Sequence, residues 1–237
     1  MFLLCADTRL SGGILDDQAD KFYRLGRNFL AMLSGSDVAA AVRICRSWRD
    51  KISSASALDI DVLAKLMREG LEEAKQSAIF SSELSLEFVV TGFAGSNAMM
   101  LYAQIVGEYT KVFEVPTYMA IGSGGEAAKA MLSHRGYRGN LEKEQALYLV
   151  YEAKKFSENS DGVGPKTQML IHGPLEGLAR HMSPQAELCA NYVSPGALVH
   201  LETLRQKFFI PSIIPEMEKF PPDFFDGPYP FSSSKTS

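Results

Sequence analysis

The order of apolar and polar residues begins with a short buried strand. Residues 2–6 are apolar or small, and they run directly into Asp7, Thr8 and Arg9. A Ser-Gly-Gly run then interrupts the pattern at residues 11–13. This arrangement predicts a strand that delivers polar side chains at its end.

Further segments also carry the pattern of strands, because they are short and are either apolar or alternate between apolar and polar residues. They are residues 21–25, 28–33, 84–93, 99–106, 108–115 and 166–172. The first two are expected to form a hairpin. A second hairpin is expected where the chain turns at Gly107.

Other segments predict amphipathic helices, because apolar residues recur every three or four positions and form a stripe on one face. Their approximate limits are 37–52, 59–80, 126–134 and 140–157. Ser36 or Asp37 is expected to cap the first helix, and Asn140 the last.

This order of elements predicts an α+β fold. Strands, two helices, strands, two helices and a strand follow one another, and hairpins link the strands between the helix pairs. Two antiparallel sheets packed face to face, with a helix layer outside each, would bury every apolar face. We therefore predict a four-layer αββα sandwich over residues 1–172.

Residues 173–237 are predicted to form a C-terminal extension. One amphipathic helix is expected near residues 196–209, followed by a tail in which proline alternates with phenylalanine and tyrosine. Proline lacks a backbone donor and blocks helices, so the tail would lie as an extended arm on its own domain or on a neighbour. Recognition of the tail by a partner is the alternative. Residues 232–237 are expected to be disordered.

Composition excludes several classes of function. The chain has 237 residues and a net charge of −4, which gives no electrostatic reason to bind nucleic acid or an anionic membrane. Its three cysteines are far apart and form neither a disulfide framework nor a metal-binding pattern. No apolar run approaches the ~20 residues that span a bilayer. We therefore expect a cytoplasmic protein with no metal and no other cofactor.

A glycine-rich turn at residues 122–127 offers an alternative chemistry. It matches G-x-G-x-x-A after a strand and before a helix, where a pyrophosphate could bind. In a dinucleotide site, an acidic residue about twenty positions later ends a second strand. Here Glu142 and Glu144 fall inside a predicted helix instead, which disfavours this alternative.

Several short motifs, in the same order along the chain, resemble those of the proteasome-type N-terminal-nucleophile hydrolases. Each is weak by itself, but together they span residues 2 to about 172. They are residues 4–9 (G-A-D-T-R in the family), 20–22 (D-K-I), 34–37 (A-G-x-x-A-D), 118–128 (G-S-G-x-x-A), 144–153 (E-E-A…A) and 161–164 (D-x-x-[SG]-G).

The resemblance implies an enzyme in which an N-terminal Thr, Ser or Cys attacks a peptide bond. Its α-amine serves as the base, and a buried lysine lowers the pKa of the nucleophile. By resemblance, Lys21 is that lysine, Asp7 is its partner, and Gly35 donates an N–H to the oxyanion. Ser123 and Asp161 would bond the N-terminal amine. The implied substrate is a peptide or an unfolded protein, and the implied assembly is a homo-oligomeric ring.

The nucleophile would precede Met1 in the family's arrangement, at the start of a strand of about ten residues. Two explanations stay open. Either the protein begins upstream with a catalytic strand, or it is a non-catalytic structural or regulatory subunit. In the second case Asp7, Arg9 and Lys21 would form an ion network that only fixes a turn. Gly164 stands where active members often have Ser, which favours the second explanation.

Overall fold

The fold is described by a computed structural model over residues 1–7, 9, 21–26, 28–76, 84–138, 141–173 and 190–207. Within these residues the strands form two antiparallel sheets, and helices lie outside both. The strands are β1 Phe2–Asp7, β2 Phe22–Arg24, β3 Phe29–Gly35, β4 Ser85–Ala94, β5 Asn97–Val106, β6 Tyr109–Glu114, β7 Thr167–His172 and β8 Ala190–Tyr192. The helices are α1 Val38–Ser54, α2 Ile60–Gln76, α3 Gly125–His134, α4 Lys143–Ser157 and α5 Pro195–Lys207.

The larger sheet has the strand order β2-β3-β4-β5-β6, and α1 and α2 cover its outer face. Side chains of β4 alternate between the two faces of the sheet, and each face is covered by another layer. Leu86, Phe88 and Val90 point towards the two helices, where they join one apolar core. Glu87 and Val89, on the opposite face, point towards the second sheet and line a cavity.

The helices that cover this sheet are fixed by one cap and one buried indole. Asp37 caps α1, because its side chain accepts a hydrogen bond of 2.9 Å from the Ala40 amide. Trp48 is fully buried, and its indole N–H donates to the carbonyl of Met67 on α2 at 3.1 Å. The Trp48 ring also packs edge-on against Phe88 of β4. Sheet and helices therefore share one continuous core.

The smaller sheet has the strand order β1-β7-β8. Residues of α3, α4 and α5 pack with this sheet in a second apolar core that includes Leu147, Ile171 and Leu201. The two sheets meet through Leu4 of β1, Leu30 of β3 and further buried residues. Together these contacts confirm the predicted sandwich of two antiparallel sheets between helices.

Some predicted details differ from the structure. Helix α4 begins at Lys143 with Glu142 as its N-cap, whose side chain makes no capping hydrogen bond, so the predicted start at residue 140 was too early. Asn140 itself lies outside the described residues, as do residues 77–80 of the predicted second helix and the tail from 208 onwards. Strand β8 was not predicted. Across the described residues, no helix is long and apolar enough to cross a membrane.

Candidate active site

A cavity of about 1090 Å³ lies beside β1, in the layer of the smaller sheet. Every residue from Met1 to Asp7 contacts it, and every residue from Glu114 to Gly125 lines another part of its wall. Neighbouring residues of a strand point to opposite faces, so contact with all of β1 places the cavity along the edge of that strand. Among the described strands, β1 pairs only with β7 and is therefore the outer strand of its sheet.

The cavity has apolar and polar residues on the two sides that face the other layers, and the polar ones include Glu87 and Thr91 of the larger sheet and Lys154 of α4. The larger sheet contributes Met32, Val89 and Met100 to its lining, and helices α3 and α4 contribute Leu132 and Val150. Because the cavity lies along the outer edge of β1, a further strand of the smaller sheet would occupy this position.

An ion pair closes the cavity at the end of β1. The Lys21 ammonium donates to both carboxylate oxygens of Asp7, at 2.9 and 3.0 Å. The amide of Arg9 also donates to Asp7, at 2.8 Å. Both side chains of the pair are largely shielded, with 14% and 15% of their surface exposed. The carbonyl of Lys21 in turn accepts a bond of 3.1 Å from Leu33, which connects the pair to β3.

Gly35 lies where β3 ends and lines the same cavity. Its φ of 143° is a conformation that side chains disfavour. A Cβ at this position would lie 2.2 Å from the carbonyl oxygen of Ser85, so the backbone of β4 leaves no room for one. The main chain of Gly35 is therefore held close to β4 at the wall of the cavity.

Ser123 is exposed at the wall of the cavity, in the turn that precedes α3. The turn is closed by a bond of 2.9 Å from the Gly125 amide to the Gly122 carbonyl. Gly122 has a φ of +81°, and a Cβ there would lie 2.5 Å from the hydroxyl of Ser34. The Ser123 turn is thus packed directly against the end of β3 that carries Gly35.

Asp161 is exposed, and it does not line the cavity, although Gly162 and Val163 do. The segment after it is anchored by Lys154, whose buried ammonium donates to the Gly164 carbonyl at 2.9 Å. A Cβ on Gly164 would lie 2.7 Å from the Cβ of Arg9. A serine at position 164 would therefore require Arg9 to move.

The segments that carry the predicted site residues contact one another in succession around the cavity. The end of β3 touches Gly122, and Gly124 approaches Val163 so closely that a Cβ would meet it at 2.8 Å. Gly164 then touches Arg9, whose amide binds Asp7, and Asp7 binds Lys21. The structure thus brings Asp7, Lys21, Gly35 and Ser123 to one cavity, with Asp161 just outside it.

Two charged residues near the cavity were missed by sequence analysis. Glu87 accepts hydrogen bonds from the Tyr102 hydroxyl at 2.7 Å and from the Gly122 amide at 2.8 Å. Lys154 is paired with Glu158, and burial lowers the pKa of its ammonium. The only available signal for Glu87 was an acidic residue inside a largely apolar strand.

Cys5 also contacts the cavity, but it is poorly suited to be a nucleophile. It lies in the middle of β1, opposite Met169 of β7. Burial raises the pKa of its thiol to about 12, so the thiol stays protonated near neutral pH. Cleavage after Leu4, which would make Cys5 the first residue, would also remove half of β1.

The described residues offer neither a metal site nor a nucleotide-type sheet. They contain no group of three or more His, Cys, Asp and Glu side chains able to hold a metal ion. Each strand pair that the structure describes is antiparallel, whereas the dinucleotide-binding fold is built on parallel strands. The turn at residues 122–127 therefore lacks the sheet that its glycine pattern would need.

Two face-to-face antiparallel sheets between helices, with a lysine–carboxylate pair at a cavity in one of them, define an αββα-sandwich protein. The proteasome subunit family model matches residues 1–167 of the 237. The chain therefore belongs to the proteasome subunit family. Subunits of this family assemble into rings with other subunits. No curated protein matches the chain.

Proposed function

We propose that this protein is a proteasome-type peptidase subunit whose nucleophile is carried by a strand seated in the cavity beside β1. The observation that carries the proposal is the Asp7–Lys21 pair, which lies at the end of β1 and at the wall of this cavity. A shielded lysine held by a carboxylate is suited to lowering the pKa of a nearby hydroxyl.

The geometry of β1 sets the direction of the proposed strand. A segment joined to the start of β1 by a tight turn runs antiparallel to it. Its first residue then lies beside the end of β1, next to Asp7. Since β1 has six residues, such a segment and its turn need about eight to ten. The apolar residues in the lining predict a segment that is largely apolar, with polar residues where Glu87, Thr91 and Lys154 line the cavity.

In the proposed reaction, an N-terminal Thr, Ser or Cys attacks the carbonyl carbon of the substrate. Its α-amine takes the proton from the nucleophile and then gives it to the leaving amine, so that the peptide bond breaks and an acyl-enzyme forms. Water releases the acyl group in the second half of the reaction. Ser123 and Asp161 orient the amine.

The charged and backbone groups of the chain stabilise this reaction electrostatically. The ammonium of Lys21, held by Asp7, favours the deprotonated nucleophile electrostatically. The N–H of Gly35 donates to the oxygen that becomes negative in the tetrahedral intermediate. Arg9 supports Asp7 through its backbone amide, which is bound to that carboxylate.

The proposed substrates are peptides or unfolded proteins, and the proposed assembly is a homo-oligomeric ring in the cytoplasm. The net charge of −4 and the three scattered cysteines agree with this setting. The tail rich in proline and aromatic residues would bind a neighbouring subunit.

The role of Lys21 is tested in protein that carries the upstream segment. We expect Lys21→Ala to lower the cleavage of a fluorogenic peptide by at least ~100-fold without unfolding the protein. Lys129→Ala, at an exposed ion pair on α3, is the matched control and should keep full activity. Full activity in Lys21→Ala would remove the assigned role.

The upstream segment itself is tested by two measurements. The DNA before the Met1 codon should encode an in-frame apolar segment of about ten residues that begins with Thr, Ser or Cys. Amide hydrogen exchange in β1 should slow when this segment is present, because the outer edge of β1 becomes paired. A stop codon directly upstream, or unchanged exchange, would favour a non-catalytic structural or regulatory subunit.

A further inference from the structure

We propose that Glu87 is a positioning residue that holds the Ser123 turn against the end of β3, and thereby sets the distance between Ser123 and Gly35. This inference rests on the proposed function, in which these two residues act on the nucleophile and on the oxyanion. Glu87 itself would touch neither the substrate nor the reacting atoms.

Glu87 is placed for this task by the register of the larger sheet. On one side it pairs with Ser34, the residue before Gly35, and on the other with Gln104. Tyr102 lies two residues from Gln104 along β5, and therefore lies diagonally across from Glu87 on the same face. Glu87 thus points away from the α1–α2 core and towards the cavity.

Both carboxylate oxygens of Glu87 are engaged, and each has a different partner. One oxygen accepts the Tyr102 hydroxyl at 2.7 Å, which fixes the carboxylate to β5. The other accepts the Gly122 amide at 2.8 Å, which fixes the turn. Hydrogen bonds to a charged acceptor are the stronger kind, so this bridge connects the rigid sheet to the turn before α3.

Among the described residues, the turn is otherwise held by packing, including that of Gly124 against Ser157 and Val163. Its conformation needs the positive φ of Gly122, and Gly122 packs directly on the Ser34 side chain. The N-cap of α3 is Gly124, which offers no side chain to bind the first turn of the helix. Loss of the Glu87 bridge should therefore let Ser123 move relative to Gly35, while the sheet keeps its core.

The experiment compares Glu87→Leu with Glu87→Gln. The amide of Gln can accept from Gly122 through its oxygen and donate to the Tyr102 oxygen through its nitrogen, so it can keep both contacts. Leucine can keep neither. We expect Glu87→Leu to speed the exchange of the Gly122 amide by about tenfold or more, and Glu87→Gln to change it by less than about threefold.

The kinetic measurement uses protein that carries the upstream segment. Glu87→Leu should lower kcat for a fluorogenic peptide by about 10- to 100-fold with little change in KM, and Glu87→Gln should restore most of kcat. A purely structural role would not give this split together with rescue by Gln. Unchanged exchange at Gly122 in folded Glu87→Leu, or an unchanged kcat, would overturn the proposal.

If Glu87→Leu does not fold, Tyr102→Phe removes only the anchor of the carboxylate and should speed Gly122 exchange by about threefold; no change would overturn the proposal. If the protein with the upstream segment cleaves no peptide, the proposed function fails. The exchange measurement on Gly122 still decides whether Glu87 holds the turn.

Discussion

The larger sheet is covered on its outer face by a continuous core, whereas the smaller sheet stops at β1 and leaves a cavity in its own layer. Trp48, Met67 and Phe88 are all fully buried in this core, which lies between the larger sheet and helices α1 and α2 and which we call the closed half of the molecule. The cavity half consists of the smaller sheet, helices α3 to α5 and the side of the larger sheet that faces them. There, Met32 and Met100 of the larger sheet remain only partly buried, because the cavity lies over them. The core under α1 and α2 is therefore closed, whereas the space beside β1 stays open and holds the site, to which both sheets contribute residues.

The two halves also differ in how they use charge. The described charged residues buried in the molecule, Arg135, Glu152 and Lys154, all belong to the half with the cavity. The core between the larger sheet and α1–α2 is almost purely apolar. Substitutions in the cavity half should therefore destabilise the protein by leaving buried charges unpaired, and substitutions in the closed half by creating new cavities.

The largest effect is expected at the buried ion pair of the cavity half. Arg135 donates to Glu152 at 2.9 and 2.5 Å, and both side chains are only 5% exposed. Glu152→Ala leaves a buried guanidinium without this partner and should lower the free energy of unfolding by about 3–5 kcal/mol. The control is Glu126→Ala, at an exposed pair on α3, which should cost less than about 1 kcal/mol. Equal costs in urea denaturation would contradict the prediction.

A matched pair of methionines tests the comparison directly. Met67→Ala, in the closed core, should lower the free energy of unfolding by about 3 kcal/mol, because it creates a new cavity. Met100→Ala should cost about 1 kcal/mol, because this side chain already borders empty space. The two values come from chemical denaturation of each variant. If Met100→Ala costs as much as Met67→Ala, the two halves are equally well packed.

The free energy of unfolding is expected to depend on pH through His172, which lies at the contact between the two sheets. Burial, followed by the charges of the Met1 amine and Arg24, lowers the pKa of His172 to about 4. The unfolded chain binds this proton near pH 6.5, so stability is retained above about 6.5 and falls as the pH drops towards 4. Between pH 7 and pH 5 the loss should be about 2 kcal/mol.

The pH effect is assigned by substitution. His172→Gln should remove this component from the pH dependence of the unfolding free energy. His134→Gln, at an exposed position at the end of α3, should leave it in place. The assignment fails if His172→Gln keeps the slope of the unsubstituted protein.

The smallest expected change in stability is at Gly70 in helix α2. Gly→Ala inside a helix usually stabilises by up to about 1 kcal/mol. At Gly70, however, the new Cβ would lie 2.4 Å from the indole nitrogen of Trp48. We expect Gly70→Ala to destabilise the protein by about 1–2 kcal/mol in thermal and chemical unfolding. In a Trp48→Phe background the cost should shrink, and an unchanged cost would exclude this contact as the cause.

Much of the fold could be predicted because its pattern is local. The alternation in β4 and the apolar stripes of α1 and α2 identify their buried faces without any tertiary information. The limits of α4 were less predictable, since Asn140 is the better capping residue by type but the helix begins only after Glu142. Strand β8 has three residues and a polar centre, too short to show a period.

The site was predictable only where a motif carried it. Resemblance to the family led to Asp7 and Lys21, and the structure joins them. Motifs could not identify Glu87 and Lys154. Glu87 binds the backbone amide of Gly122, Lys154 binds the backbone carbonyl of Gly164, and a glycine has no side chain that would indicate either contact. Contacts made through backbone atoms leave no pattern in a single sequence.

The close approach of Gly164 to Arg9 has a consequence for how this protein and its relatives diverge. A side chain at position 164 would collide with Arg9, so a change at either position constrains the other. In family members that have Ser at this position, we therefore expect the backbone near position 9 to lie farther from position 164 than it does here.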